Sequence, residues 1–327
     1  MSNIISKEQM RKLLSALSEK MTLIGPVDTG KVVEYREADA SDILMDDQIS
    51  YKSPKEYYFP QVEKLMVFSD EGVSPCTEIL PTVIFGAKPC DLEALRVMQK
   101  VFMEGRYMDP FFAQHMEQNV IIGVACLSKK PGCFCDELGL DMDFSDFCDI
   151  FLSDLGDEYK VEFLSEKGKN TLDSFYKISD IIPEDNSKKA SSKSDTINFP
   201  YELQDIELFD AVDWNKLTET CQSCGMCTFI CPTCHCFEFK DVEKDGEASR
   251  YRLWDSCIYP KFTLHASGHN PRAAKAERYR QRVLHKYKYV KNNTGYTACT
   301  GCGRCIRSCP VGMNIKNVAK TVTEAKL

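Results

Sequence analysis

The sequence lacks any apolar run long enough to cross a membrane. Its longest uninterrupted apolar stretch lies around Val120 to Leu127, whereas a membrane-spanning helix needs roughly 20 apolar residues. The opening segment, MSNIISKEQMRKLLSAL, mixes charges into a helical pattern and has neither the apolar core nor the small-residue cleavage site of a secretion signal. These absences exclude a membrane-spanning protein, and we expect a cytoplasmic location.

Two nucleotide-binding motifs are also missing. The segment GPVDTGKV, residues 25–32, has the glycines and lysine of a phosphate-binding loop, but Val32 stands where a serine or threonine must reach magnesium. The sequence contains no G-x-G-x-x-G, so nothing local predicts that this chain itself binds a dinucleotide. We therefore reject an NTPase site.

Cysteine, in contrast, is abundant. The 327 residues include 17 cysteines, and clustered thiols in a protein without a secretion signal usually serve metal or redox chemistry. Because the number is odd, complete pairing would leave one thiol over. The composition thus predicts a metalloprotein and not a disulfide framework.

Charge divides the chain into two parts. Residues 215–327 carry 19 Lys and Arg against 9 Asp and Glu, while the whole chain has a net charge of −8. The polar segment PEDNSKKASSKSDT, residues 183–196, is typical of a linker. We predict two domains, residues 1–200 and 201–327.

The first part has the pattern of an α/β domain. The β-branched runs at residues 80–85 and 119–125 flank a helical pattern at residues 91–102, which predicts a βαβ unit. Residues 64–68 and 159–165 are further strand candidates. We expect a three-layer α/β fold here.

The second part has few strand signals. Residues 272–289 and 313–325 have helical patterns, so we predict an all-α domain. Together with its two cysteine runs, CQSCGMCTFICP and CTGCGRCIRSCP, this domain resembles the helical-ferredoxin module. The basic helix at 272–289 is compatible with nucleic acid. A solvated or partner-facing helix is the preferred interpretation, because the pI of the chain is about 5.3.

Two cysteine runs carry the strongest signal. CQSCGMCTFICP and CTGCGRCIRSCP both follow the pattern C-x2-C-x2-C-x3-C-P, in which the fourth cysteine ligates the neighbouring [4Fe–4S] cluster. Two zinc sites are the alternative, but zinc modules use two separated ligand pairs. The predicted ligand sets are Cys221, Cys224, Cys227 and Cys309 for one cluster, and Cys299, Cys302, Cys305 and Cys231 for the other.

A third set of thiols lies in the first part of the chain. Cys90 follows one predicted strand and Cys126 follows the next, so both reach the carboxyl edge of one sheet, where α/β proteins bind ligands. A short loop adds Cys133 and Cys135. We predict a third [4Fe–4S] site, with a zinc site or unrelated thiols as alternatives. Asp91 would lie beside this site and cap the following helix.

Three cysteines of the second part remain, Cys234, Cys236 and Cys257. They are one thiol short of a cubane, and a histidine such as His235 would have to complete a site. Buried free thiols beside the clusters are the simpler interpretation.

The ordered motifs resemble a known family. GAKPCDLEAL, the later CFC, CQSCGMCTFICPTCHCF, LWDSC, GHNPR, ERYRQRVLHK and CTGCGRCIRSCP follow one another as in the β subunit of cytoplasmic sulfhydrogenase and the iron–sulfur subunit of anaerobic sulfite reductase. The resemblance spans roughly residues 60–315, and residues 53–68 are closer to the sulfhydrogenase branch.

This resemblance implies a non-catalytic electron-transfer subunit. Its partners would be a subunit that binds FAD and NAD(P)H, and a catalytic subunit of hydrogenase or heterodisulfide-reductase type. The iron–sulfur subunit of an anaerobic sulfite reductase is the alternative within redox proteins, and a zinc-bearing nucleic-acid-binding protein is the alternative from another class. We expect neither a nucleic-acid nor a membrane partner.

Overall fold

A computed structural model describes residues 4–76, 79–173, 212–244 and 246–325. The described helices are α1 (Lys7–Ser18), α2 (Pro89–Phe102), α3 (Pro110–Gln118), α4 (Glu166–Asp173), α5 (Trp214–Leu217), α6 (Met226–Phe229), α7 (Lys275–Leu284), α8 (Val290–Thr294), α9 (Arg304–Arg307) and α10 (Ile315–Glu324). A π-helical turn, His285–Tyr289, joins α7 to α8, and 3₁₀ turns occur at Pro54–Tyr57 and Asp136–Leu138.

The strands form two sheets. They are β1 (Ile4–Ser6), β2 (Thr22–Asp28), β3 (Val33–Glu37), β4 (Val62–Ser69), β5 (Gly72–Pro75), β6 (Thr82–Ala87), β7 (Val120–Val124), β8 (Ile150–Asp154), β9 (Glu158–Phe163), β10 (Phe237–Lys244) and β11 (Glu247–Trp254). The larger sheet has the order β1-β9-β8-β7-β6-β2-β3 and the smaller one the order β10-β11-β4-β5.

The centre of the larger sheet is parallel. Strand β6 pairs in parallel with β2 and β7, and β7 pairs in parallel with β8. The helix α2 lies between β6 and β7 in sequence, so the predicted βαβ unit is confirmed. Cys90 and Cys126 each follow one of its two strands. Both therefore lie at the same sheet edge, because the carboxyl ends of neighbouring parallel strands meet there.

Helices cover both faces of this sheet. The apolar side of α1, with Leu13, Leu14 and Leu17, packs into a core on one face. Helix α2 packs Leu92 and Met98 into the core on the opposite face. Helix α1 begins at a capping box, in which the Ser6 hydroxyl oxygen accepts a hydrogen bond from the backbone N–H of Gln9, with 3.1 Å between nitrogen and oxygen.

The predicted fold class, an α/β domain followed by an all-α dicluster domain, is wrong. Strands β10 and β11 form an antiparallel hairpin in the second part of the chain, and β11 pairs with β4 from the first part. The predicted strand at residues 64–68 therefore belongs to this smaller sheet. The sheet exists because β4 offers a partner that is distant in sequence, which local patterns do not reveal.

A buried arginine fixes the smaller sheet to the rest of the fold. Arg252 on β11 is 1% exposed, and its Nε donates to a carboxylate oxygen of Glu63 on β4 at 3.0 Å. Its guanidinium also pairs with Asp109, the N-cap residue of α3. Two carboxylates thus offset the cost of burying this cation.

The predicted linker at residues 183–196 and the division at residue 200 lie outside the described residues. That division stays a prediction, and the smaller sheet is built from strands on both sides of it. None of the described helices is long and apolar enough to cross a membrane.

Candidate metal centres

The outer cavity lies between the two cysteine runs. Four cysteines from its wall are the first predicted ligand set, Cys221, Cys224, Cys227 and Cys309. Cys221 and Cys224 come from the loop that leads into α6, where Gly225 adopts a positive φ of 76° before the helix starts, and Cys227 lies in α6 itself. Cys309 comes from the loop after α9. Cys224 is exposed, so this cavity lies near the surface.

The middle cavity is deeper in the protein. Its wall contains the second predicted set, Cys231, Cys299, Cys302 and Cys305. The fourth cysteine of each run thus lines the cavity of the other run, and crossed ligation of two clusters stays a prediction.

The N-terminal cavity holds the third set. It is lined by Cys90, Cys126, Cys133 and Cys135. Cys90 is in the first turn of α2 and Cys126 lies two residues after β7, while the other two lie in the loop before the 3₁₀ turn at Asp136–Leu138.

Two cysteines connect the three cavities into a row. Cys302 lines both the N-terminal and the middle cavity, and Cys305 lines both the middle and the outer cavity. Neighbouring cavities are thus separated by about one side chain. The sequence motif predicted closeness for the outer and middle cavities only.

Glycine permits the contact between the N-terminal and middle cavities. Gly301 has a φ of +64°, and an added Cβ would lie 2.5 Å from the Cys135 backbone nitrogen. The Gly301 carbonyl also accepts a hydrogen bond from the Phe134 amide at 2.8 Å. Any side chain at this position would push the two cysteine loops apart.

A buried ion pair holds the same junction. Both carboxylate oxygens of Asp91 on α2 accept hydrogen bonds from Arg304 on α9, and each side chain is 1% exposed. Arg304 also donates from Nε to the Ser50 carbonyl at 3.0 Å. The prediction that Asp91 caps α2 is wrong, because Lys88 is the N-cap residue and the Asp91 side chain faces Arg304.

The basic helix, which we expected to be solvated or to face a partner, is largely buried within the described part of the chain. Arg282 on α7 and Lys286 in the π-helical turn are each 2% exposed. Arg282 lines both the outer and middle cavities, and Lys286 lines the middle one. Tyr287, also buried, donates its hydroxyl hydrogen to the Cys299 sulfur at 3.4 Å. Sequence reasoning missed these residues because a run of cations resembles an exposed helix.

The donor set of the cavities suits iron–sulfur clusters. Cysteine sulfurs, which are soft ligands as thiolates, line all three cavities, and no Asp, Glu or His among the described residues does so. Burial raises the pKa of Cys135 and of Cys302 to about 11, so these sulfurs become thiolates at neutral pH only beside a strong positive centre such as iron.

A single metal ion fits less well. Across the described ranges, no three His, Cys, Asp or Glu side chains converge closely enough to hold one ion. A mononuclear zinc site needs all its sulfurs at about 2.3 Å from one point. A cubane takes one thiolate at each of four iron atoms, which requires the wider spacing around a cavity.

Cys234, Cys236 and Cys257 line none of the three cavities. The Cys234 sulfur accepts a hydrogen bond from Arg282 at 3.3 Å. A hydrogen bond with Cys257 lowers the pKa of Cys236 to about 6, with Lys286 and Arg282 acting in the same direction. Their interpretation as free thiols beside the clusters stays a prediction.

A comparison with protein-family models matches part of the second half of the chain. Residues 220–313 match the 4Fe-4S dicluster domain. This domain includes both cysteine runs, with β10 and β11 between them, and it supplies the outer and middle cavities.

A full-length relative extends the comparison to the first half. Sulfhydrogenase 2 subunit beta of Pyrococcus furiosus is 29% identical over 331 residues, which cover 98% of this chain and 98% of the relative. No solved structure matches the chain. The predicted resemblance to sulfhydrogenase β subunits is confirmed, and the chain is an iron–sulfur protein similar to one component of an oxidoreductase complex.

Proposed function

We propose that this chain is a non-catalytic electron-transfer subunit with three [4Fe–4S] clusters, one in each cavity. Such clusters, when bound, accept and pass on single electrons. The observation that carries the proposal is the row of three four-cysteine cavities joined through Cys302 and Cys305. The chain's contribution is to hold the three sites at fixed, short separations.

The proposed ligands are the three predicted sets. The dicluster domain would provide Cys221, Cys224, Cys227 and Cys309 in the outer cavity, and Cys231, Cys299, Cys302 and Cys305 in the middle cavity. The first half would provide Cys90, Cys126, Cys133 and Cys135. Arg304 and Asp91 keep the two halves in register, and the buried cations beside the middle cavity offset the negative charge of a thiolate-bound cluster.

The partners are proposed from the relative, whose name makes it one subunit of a sulfhydrogenase. We propose a cytoplasmic complex in which one partner binds FAD and NAD(P)H and another is a hydrogenase or heterodisulfide-reductase type catalytic subunit. The flavin would convert two-electron transfers into single-electron transfers. The alternative is the iron–sulfur subunit of an anaerobic sulfite reductase. Oxidation of reduced viologen by the purified complex when sulfite is added would favour that alternative.

Iron and acid-labile sulfide per chain test the cluster content. We expect about twelve irons in protein purified without oxygen, because each cubane contributes about four. Dithionite reduction should give an EPR spectrum of interacting clusters. About eight irons would remove the third cluster from the proposal, and a colourless zinc protein without labile sulfide would overturn it.

Substitution of one N-terminal ligand tests the third site. Cys126→Ala should lower the iron content by about four atoms and leave the EPR signals of the dicluster domain intact. Cys148→Ala is the matched control, since Cys148 is half-buried beside Gly123 of β7 but lines none of the three cavities. Equal iron in both variants would contradict the assignment.

A further inference from the structure

The surroundings of the middle cavity differ from those of its neighbours in buried charge. Arg282 and Lys286 both face this cavity and are almost completely buried. The part of the chain that the structure describes offers neither of them an ion-pair partner within 4.0 Å, although buried cations normally have one. Their charges are therefore compensated by something other than a carboxylate.

The hydrogen bonds of these two cations point to the cysteine sulfurs. Arg282 donates from Nη1 to the Cys234 sulfur at 3.3 Å, while its buried Nε has no hydrogen-bond partner among the described residues. Lys286 donates to the Thr233 hydroxyl, which lies 3.4 Å from the Cys231 sulfur. The nearby thiols raise the pKa of Lys286 against the opposing effect of burial, which keeps this side chain charged.

A local change in the helix directs these groups to one place. The π-helical turn His285–Tyr289 continues α7. Within it Lys286 and Tyr287 are both buried; Lys286 lines the middle cavity, and Tyr287 donates to the Cys299 sulfur. Such turns are frequent at functional sites.

The neighbouring cavities carry less uncompensated charge. Between the N-terminal and middle cavities, the charge of Arg304 is neutralised by Asp91. Arg307 lies 3.3 Å from the Cys133 sulfur at the N-terminal cavity, but it is exposed, so solvent screens its charge. Of Arg282 and Lys286, only Arg282 lines the outer cavity.

We infer that Arg282 and Lys286 give the middle cluster the highest reduction potential of the three, so that the first electron taken up by the chain is held at the centre of the row. This inference rests on the proposed function. A reduced cubane carries one more negative charge than an oxidised one, and buried uncompensated cations favour that state.

Potentiometric titration of the full-length protein, followed by EPR and visible absorbance, tests the inference. Arg282→Met should lower two of the three midpoint potentials, and Lys286→Met should lower only one. We expect each reduction equilibrium to change at least tenfold, which is about 59 mV for one electron. The signal that shifts in both variants should have the highest potential in the unmodified protein.

Two controls separate charge from packing. Lys288→Met removes a cation from the same helical turn that lines none of the three cavities, and it should leave all midpoints unchanged. Arg282→Lys keeps the charge and should restore most of the potential lost in Arg282→Met. Unchanged midpoints in Arg282→Met and Lys286→Met protein with full iron content would overturn the inference.

A second measurement does not depend on the buried cations. The signal of highest potential should persist in Cys126→Ala, which lacks the N-terminal site, and in Cys224→Ala, which lacks an outer ligand. Its loss from either variant would overturn the inference. Failure of the proposed function is distinguishable, because it would show as low iron in the unmodified protein.

Discussion

Asp91→Asn should lower the free energy of unfolding by about 3–5 kcal/mol. The substitution keeps the size of the side chain but leaves the Arg304 guanidinium buried without its carboxylate, and breaking a buried ion pair in this way has a cost of that magnitude. The midpoint of urea unfolding, followed by tryptophan fluorescence under anaerobic conditions, should move to a clearly lower urea concentration.

The chain offers a matched control for this experiment. Glu137 and Lys316 form an ion pair of 2.6 Å between the same two halves of the protein, but their side chains are 41% and 30% exposed. Glu137→Gln should therefore change stability by no more than about 1 kcal/mol. The double variant Asp91→Leu with Arg304→Met should recover much of the loss, because replacing both partners removes the unpaired charge. Equal effects of Asp91→Asn and Glu137→Gln would contradict the role given to Asp91.

Gly301→Ala should remove iron from two sites together. Its Cβ would collide with the backbone of Cys135, so the loop carrying Cys299 and Cys302 cannot stay against the loop carrying Cys133 and Cys135. We expect a loss of up to about eight of about twelve irons, with the outer cluster retained. Iron analysis and EPR of the reduced protein measure this result.

Gly312→Ala separates the collision from backbone strain. Gly312 has a similar φ of +70°, but nothing lies within 4 Å of the position that a Cβ would take. Alanine there should have a cost of about 1–2 kcal/mol from its left-handed conformation and should keep all the iron. If Gly301→Ala also retained full iron, the close contact of the two loops would not be needed for cluster binding.

The three groups of cysteines could be predicted from the sequence, because the spacing that defines each group is local. Each run of three cysteines and a fourth before proline specifies its own geometry. The N-terminal set needed one further rule, that neighbouring parallel strands bring their carboxyl ends together. Each predicted set lines one cavity, joined by Cys305 in the outer cavity and by Cys302 in the N-terminal one. The identity of the ligands stays a prediction.

The hairpin of β10 and β11 was missed despite a usable signal. The sequence has the dipeptide Asp-Gly at 245–246, between the segments 237–244 and 247–254, and this dipeptide is a strong short-range sequence sign of a hairpin. The many charges of β10 hid its strand character. Its sheet is completed by β4, and no local pattern connects residues so far apart.

The buried cations were hidden for a different physical reason. Arg282 and Lys286 have no carboxylate partner among the described residues, so pairing with an acidic residue could not have indicated their burial. Their counter-charge is on sulfur and, in the proposed function, on an inorganic group. A basic helix beside cysteine motifs can therefore face inward, toward the cysteines.

The smaller sheet also sets an order of events during synthesis of the protein. Strand β4 leaves the ribosome long before β11, and until β11 follows, one edge of β4 has no partner. An unpaired edge of this kind can recruit other chains. A nascent chain stopped near residue 200 would be prone to aggregation. Expression as one continuous polypeptide should therefore favour intact protein, and slow translation through the first half should be avoided.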